Sequence, residues 1–216
     1  MKYLALRICI VALFATTGIA SLYAQLKGDV TTAMMCYYSP FSNTGKAVSE
    51  TFGYGKNFNG YAYVEMSGLF GTPVSAYGQF YWEHKWWDSS IFLHAEYRGV
   101  LSSDFYESNL YAGAAFSIPM KSGYLAIEPL LMWKQGYGFG GQLSFVGGWQ
   151  WNKFLLEHCT DFSKVQNKTS NVDIFSETRL YYNLIPHISI GLVGAVSCID
   201  TDVTYKDLYL SLKFSL

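Results

Sequence analysis

The sequence predicts an all-β fold, a transmembrane antiparallel up-and-down β-barrel of twelve strands, on three observations. Hydrophobicity alternates with period two, tight turns recur at about 32-residue intervals, and ionisable side chains keep to one face of the strands. The composition agrees. Of 216 residues, 50% are hydrophobic and 18% aromatic, but only 14% are charged, where a soluble domain carries roughly a quarter. Aromatic residues suit strands and glycines suit turns. The net charge of −1, without a run of like charges, leaves no electrostatic footprint for nucleic acid, which is excluded as a partner.

The first element is a processing segment. Lys2 and Arg7 flank an apolar run, Ile8 to Phe14, with small residues beyond it and a cleavage point after Leu22-Tyr23-Ala24. Residues 1–24 are expected to be a secretory signal, since the run is far shorter than the ~20 apolar residues of a spanning helix. Residues 25–216 then form a single barrel domain with 13 basic and 16 acidic residues. Three cysteines fall in that domain, Cys36, Cys159 and Cys198, without C-x-x-C spacing, so neither a disulfide framework nor a zinc motif is expected. They read as small hydrophobes.

Strands follow from the alternation, because successive side chains of a strand point to opposite sides. In Ser90–Leu101, Ile91, Leu93, Ala95 and Tyr97 oppose His94, Glu96 and Arg98; in Asn109–Ile118, Leu110, Ala112, Ala114, Phe116 and Ile118 oppose Asn109, Tyr111 and Ser117. The last strand sets Leu208, Leu210, Leu212, Phe214 and Leu216 against Tyr209, Ser211, Lys213 and Ser215, and is expected to close the barrel. Lys46–Tyr54 fits less well, since Glu50 shares a face with Val48 and Phe52; without it and a neighbour the barrel would have ten strands. Phe154–Asp161 is ambiguous too, because placing Glu157 and Asp161 inward leaves His158 outward. Pro129 cannot donate to a ladder, so a bulge is expected there.

Tight turns are expected at Gly55-Lys56-Asn57, Asp88-Ser89, Pro119 to Gly123, Trp151-Asn152-Lys153 and Asn183 to His187. Longer polar loops are expected between them, at Ser39–Lys46, Phe70–Val74, Ser102–Ser108, Lys134–Gly138, Ser163–Asn171 and Asp200–Lys206. Short turns at one end and longer loops at the other match the periplasmic and outer ends of an outer-membrane barrel.

Charge position selects the solvent. Glu65, Glu83, Lys85, Glu96, Arg98, Glu128, Lys134, Glu177, Arg179 and Lys213 all fall on the polar face. Aromatic residues gather in two bands. Trp86, Trp87, Trp149, Trp151, Tyr181 and Tyr182 lie near the turns, and Tyr37, Tyr38, Phe70, Phe105, Trp133 and Tyr137 near the loops, as interfacial girdles would. A closed barrel leaves no unpaired backbone groups in hydrocarbon.

The runs Tyr61-Ala62-Tyr63-Val64-Glu65, Tyr81-Trp82-Glu83 and His94-Ala95-Glu96-Tyr97-Arg98-Gly99 resemble those of Bacteroidetes outer-membrane proteins related to the nucleoside-specific channel-forming protein Tsx. The resemblance spans most of residues 28–216, strongest in 58–134. It implies a twelve-stranded barrel of the bacterial outer membrane with a narrow pore, and passage of nucleosides.

A twelve-stranded barrel is wider than the eight-stranded kind that side chains just fill, and narrower than a 16-stranded porin. The expected lining residues are Tyr63, Glu65, Tyr81, Glu83, His94, Glu96, Arg98, Tyr111, Glu128, Glu177 and Arg179. Tyrosines offer a flat apolar face and a hydroxyl for a base or sugar, while opposed charges set the width and charge preference of a path. The same charges would also pair in a plugged, purely structural or surface-interaction barrel. A third alternative is a lipid hydrolase using His187 and Ser189, but no third group orients the histidine, and the pair belongs to a periplasmic turn. No enzyme, cofactor or metal is therefore expected. The partners expected are outer-membrane lipid, a small hydrophilic solute and the barrel assembly machinery.

Overall fold

Twelve antiparallel strands close on themselves in the computed structural model, which describes residues 29–68, 75–86, 90–102, 105–168, 172–199 and 202–216. The expected signal segment 1–24, the loop Phe70–Val74, the turn Asp88-Ser89 and the girdle residue Trp87 lie outside these residues. The strands are β1 Asp29–Ser39, β2 Thr44–Tyr54, β3 Phe58–Ser67, β4 Ser75–Lys85, β5 Ile91–Ser102 and β6 Tyr106–Met120. They continue as β7 Gly123–Lys134, β8 Gly138–Trp151, β9 Phe154–Val165, β10 Asp173–Ile185, β11 Ile188–Ile199 and β12 Asp202–Ser215. Each pairs with its neighbours in sequence, and β1 meets β12 in register from Ala33 opposite Ser215 to Tyr38 opposite Leu210. No edge is left unpaired, so all twelve strands can meet lipid without stranded N–H or C=O groups.

β2 is a full strand, which removes the ten-strand alternative. Glu50 shares a face with Val48 and Phe52 because that face points inward: Glu50 is only 2% exposed. Small residues, Gly45, Ala47, Ser49, Thr51 and Gly53, take the outward positions. A strand whose outer face lacks large side chains looks inverted when hydrophobicity alone assigns the faces. β9 resolves as well. Asp161 is buried inside, and His158, directed outward, shares hydrogen bonds with Thr178 Oγ1 (2.8 Å) and Thr160 Oγ1 (2.9 Å). Its two ring nitrogens are thereby satisfied on an apolar face.

Three expectations are corrected. Three of the polar segments taken for loops are cut short by strand, since β12 begins at Asp202, β6 at Tyr106, and β9 runs to Val165, whereas residues 40–43 and 135–137 are turns as expected. Strands that extend past the hydrocarbon keep their backbone groups paired, so polar composition there does not end the ladder. The register is the same on both sides of Pro129, from Gly113 opposite Leu130 to Phe116 opposite Ile127, so no bulge forms. Proline withholds a donor, and the β6–β7 ladder opens at Ala114 and Ala115 without inserting a residue. Bulges occur instead at Asn183/Ile185 and Ser197/Cys198. Finally, Tyr37 and Tyr181 do not join the girdles. Each is adjacent to a second tyrosine, parity allows only one of the two to face out, and Tyr37 and Tyr181 are 1% and 0% exposed inside.

The outer surface carries Leu93, Leu110, Phe116, Leu131, Leu192, Leu210 and Phe214, all exposed. Trp86, Trp151, Phe154 and Tyr182 rim the turn end; Tyr38, Phe105, Trp133 and Tyr137 rim the loop end. In water such a continuous apolar belt would be far beyond what soluble proteins expose; against acyl chains it is the expected surface.

Candidate functional site

Every sequence-predicted site residue faces the lumen, and the barrel curvature gathers them into two charged networks. In the first, β5 presents His94, Glu96 and Arg98 at alternate positions. Arg98 donates from Nε and Nη2 to Glu96 (2.6 and 3.2 Å) and from Nη1 across the lumen to Asp161 Oδ2 (2.6 Å). Gln79 of β4 donates to Glu96 Oε1 at 2.5 Å. His94 Nε2 lies 3.3 Å from Glu96 Oε2 and its Nδ1 3.2 Å from Glu83 Oε1, while Asn59 donates to Glu83 Oε2 at 3.1 Å. The Tyr111 ring lies 4.6 Å from the Arg98 guanidinium, a cation–π contact that packs the bridging side chain. Glu128 of β7 completes the group with its carboxylate beside Glu83 and His94.

The second network centres on Arg179 of β10. Its Nη1 donates to Glu50 of β2, and its Nε to Glu177 Oε1 at 2.6 Å. Tyr61 donates to the same Glu50 oxygen at 3.1 Å, and Lys213 of β12 pairs with Glu157 Oε1 at 3.0 Å. Tyr63 Oη donates to Glu65 Oε2 (2.8 Å), whose other oxygen meets Lys46 Nζ at 3.0 Å. Removing charges from water is costly unless they are paired and hydrogen-bonded, and apart from Glu128 each charge of the two networks has at least one such partner.

An aromatic ladder crosses four adjacent strands between the networks. Ring centroids step from Phe52 to Tyr61 (4.6 Å), Tyr61 to Tyr81 (4.9 Å) and Tyr81 to His94 (5.1 Å). The open space beside it is a cavity of about 1300 Å³. At the turn end it begins at Lys121, Ser122, Gln150 and Asn152. It reaches Lys46, Glu65, Tyr77 and Phe175, each two residues from the loop ends of β2, β3, β4 and β10. The remaining cross-section is filled by inward side chains, with Met35, Tyr37, Val48, Tyr181, Val193 and Tyr209 in one buried cluster and Tyr111, Leu130, Met132 and Val165 in another.

Among the described residues, seven carboxylates line the cavity, Glu50, Glu65, Glu96, Glu128, Glu157, Asp161 and Glu177. They face five cations, Lys46, Arg98, Lys121, Arg179 and Lys213. Glu50, Glu157, Asp161, Gln79, Lys46 and Lys213 were not among the sequence-predicted site residues. A signal was present for three of them. Glu50, Glu157 and Asp161 were the charges that fitted no outward-apolar pattern, and each proves to be an acceptor for a cation on a distant strand.

The proposed catalytic pair is not assembled. His187 Nδ1 lies 3.0 Å from the Ser215 carbonyl oxygen, and Ser189 Oγ donates to Asn183 Oδ1 at 2.7 Å, so neither activates the other.

No protein-family model matches the sequence, and no curated protein matches it. Solved structures do match in shape. The NanC porin is similar with a TM-score of 0.59 at 11% identity, over 86% of this chain and 98% of that one. The KdgM porin in complex with disordered oligogalacturonate is similar with a TM-score of 0.56 at 10% identity, over 86% and 99%. The likeness establishes the fold, a closed barrel of the outer-membrane porin kind; no sequence relation to Tsx or to Bacteroidetes proteins accompanies it. A closed strand barrel with an apolar belt is the form in which chains cross bacterial outer membranes, and the location follows from the fold.

Proposed function

We propose that the chain is a narrow outer-membrane channel for small hydrophilic solutes that are uncharged or cationic, with nucleosides and neutral sugars the solutes to test first. The observation that carries this reading is the cavity that runs from the turn end to within two residues of the loop ends of β2, β3, β4 and β10. Its aromatic ladder supports the solute class: tyrosine faces stack on a base or sugar ring and tyrosine hydroxyls bond its hydroxyls. The carboxylate excess supports the charge preference, because a low-dielectric tube concentrates the field of its lining charges. The KdgM porin is solved with oligogalacturonate, and a polyanion of that type is disfavoured in this lumen. Delivery through the signal segment 1–24 and insertion by the barrel assembly machinery belong to the same reading.

Purified protein in planar bilayers is expected to conduct, and liposomes containing it to swell in uridine or glucose. The second reading, a plugged structural barrel, is favoured by one observation: the inward cluster around Tyr37 and Tyr181 is fully buried. Absence of both conductance and swelling replaces the first reading with the second.

A further inference from the structure

We propose that Glu83 of β4, His94 of β5 and Glu128 of β7 form a binding site for a divalent transition-metal ion in the lumen wall, with zinc as the reference ion. One ligating atom of each lies within 4.8 Å of the other two. Glu83 Oε1 and His94 Nδ1 are 3.2 Å apart, close to the ~3.3 Å edge of a tetrahedron with metal–ligand bonds of about 2.0–2.1 Å. For Glu128 to ligate, rotation about its side-chain torsions must bring its oxygen onto the same centre.

Two further features point to a cation. Glu128 makes no hydrogen bond or ion pair with any described residue, although it stands beside another carboxylate of the network, Glu83. With Asp161 the group holds four carboxylates against the Arg98 guanidinium and the His94 imidazole. A dication supplies the missing charge. The second nitrogen of His94 faces Glu96, itself clamped by Arg98 and Gln79. A carboxylate held on the far side of a ligating imidazole fixes the ring and raises its basicity. An imidazole with only three protein donors selects a transition metal over calcium or magnesium, which take six or more oxygens. His94 and Glu128 belong to the cavity lining, which gives the ion its route of entry.

The test is zinc binding to the folded, chelator-stripped protein in detergent, measured by titration calorimetry and by metal analysis after dialysis. One equivalent is expected, with cobalt giving the visible absorption of a tetrahedral site. Glu128→Gln, which disturbs no hydrogen bond, and His94→Gln are each expected to weaken binding at least tenfold while heat-modifiable migration on gels reports an intact barrel. The site is overturned by absence of saturable zinc binding to the wild type, by unchanged affinity in both variants, or by calcium competing as well as zinc. Binding is read without conductance, so its failure is distinct from failure of the channel reading.

Discussion

Arg98 and Arg179 each hold carboxylates that originate on strands far apart in sequence, and this makes them the residues whose loss is felt most. Arg98→Met leaves Glu96 and Asp161 inside the barrel without the guanidinium they share. Breaking a buried pair from one side costs about 3–5 kcal/mol, since the abandoned charge stays desolvated. Urea unfolding of the variant in lipid vesicles is expected to show a loss of that order, and restoring part of it by adding Asp161→Asn identifies the unpaired carboxylate as the cause. A loss under about 1 kcal/mol would mean that lumen water already solvates these groups. The tyrosines act through area as well as hydroxyls: Tyr63 contacts Arg179 with its ring, at 5.7 Å, while donating to Glu65.

Each strand divides two media, and substitutions are expected to read out which side they face. Leu192, midway along β11 and 46% exposed, points at the acyl chains. Leu192→Arg is expected to destabilise the barrel by about 2–4 kcal/mol, the cost of a cation near the bilayer midplane. The adjacent inward Val193 is fully buried, so Val193→Ala tests packing in the lumen instead. Close strand approach adds a separate constraint at Gly140, where a Cβ would lie 2.1 Å from the Lys164 carbonyl oxygen. Gly140→Val is therefore expected to spread β8 from β9 and to slow barrel folding, as followed by heat-modifiable gel migration. Unchanged folding there would show that the β8–β9 pairing adapts by backbone shift.

At the scale of the whole barrel, the imbalance of lining charge gives a sign that an electrical measurement can check. With seven carboxylates and five cations on the cavity among the described residues, the reversal potential in a potassium chloride gradient is expected to show cation preference. The preference should shrink as salt rises from 0.1 M to 1 M, where the Debye length falls from about 10 Å to about 3 Å. Glu177→Gln together with Glu65→Gln is expected to move the reversal potential toward zero. An anion preference in the wild type would contradict the solute class proposed.

Period-two alternation, evenly spaced turns and segregation of charge were enough to read a closed twelve-stranded barrel and to assign each strand residue a face. These are local properties: a side chain's face depends on its parity along its own strand and on which medium each face meets. Partnership is not local. That Arg98 reaches Asp161, that Arg179 reaches Glu50, and that Glu83, His94 and Glu128 converge from three strands depends on closure and curvature. β2 shows the boundary between the two kinds of information, since its small outward residues gave hydrophobicity nothing to mark. Which face of a strand meets lipid was written in its sequence; which charges meet across the lumen was decided only when the sheet closed, because closure sets the distances over which they act.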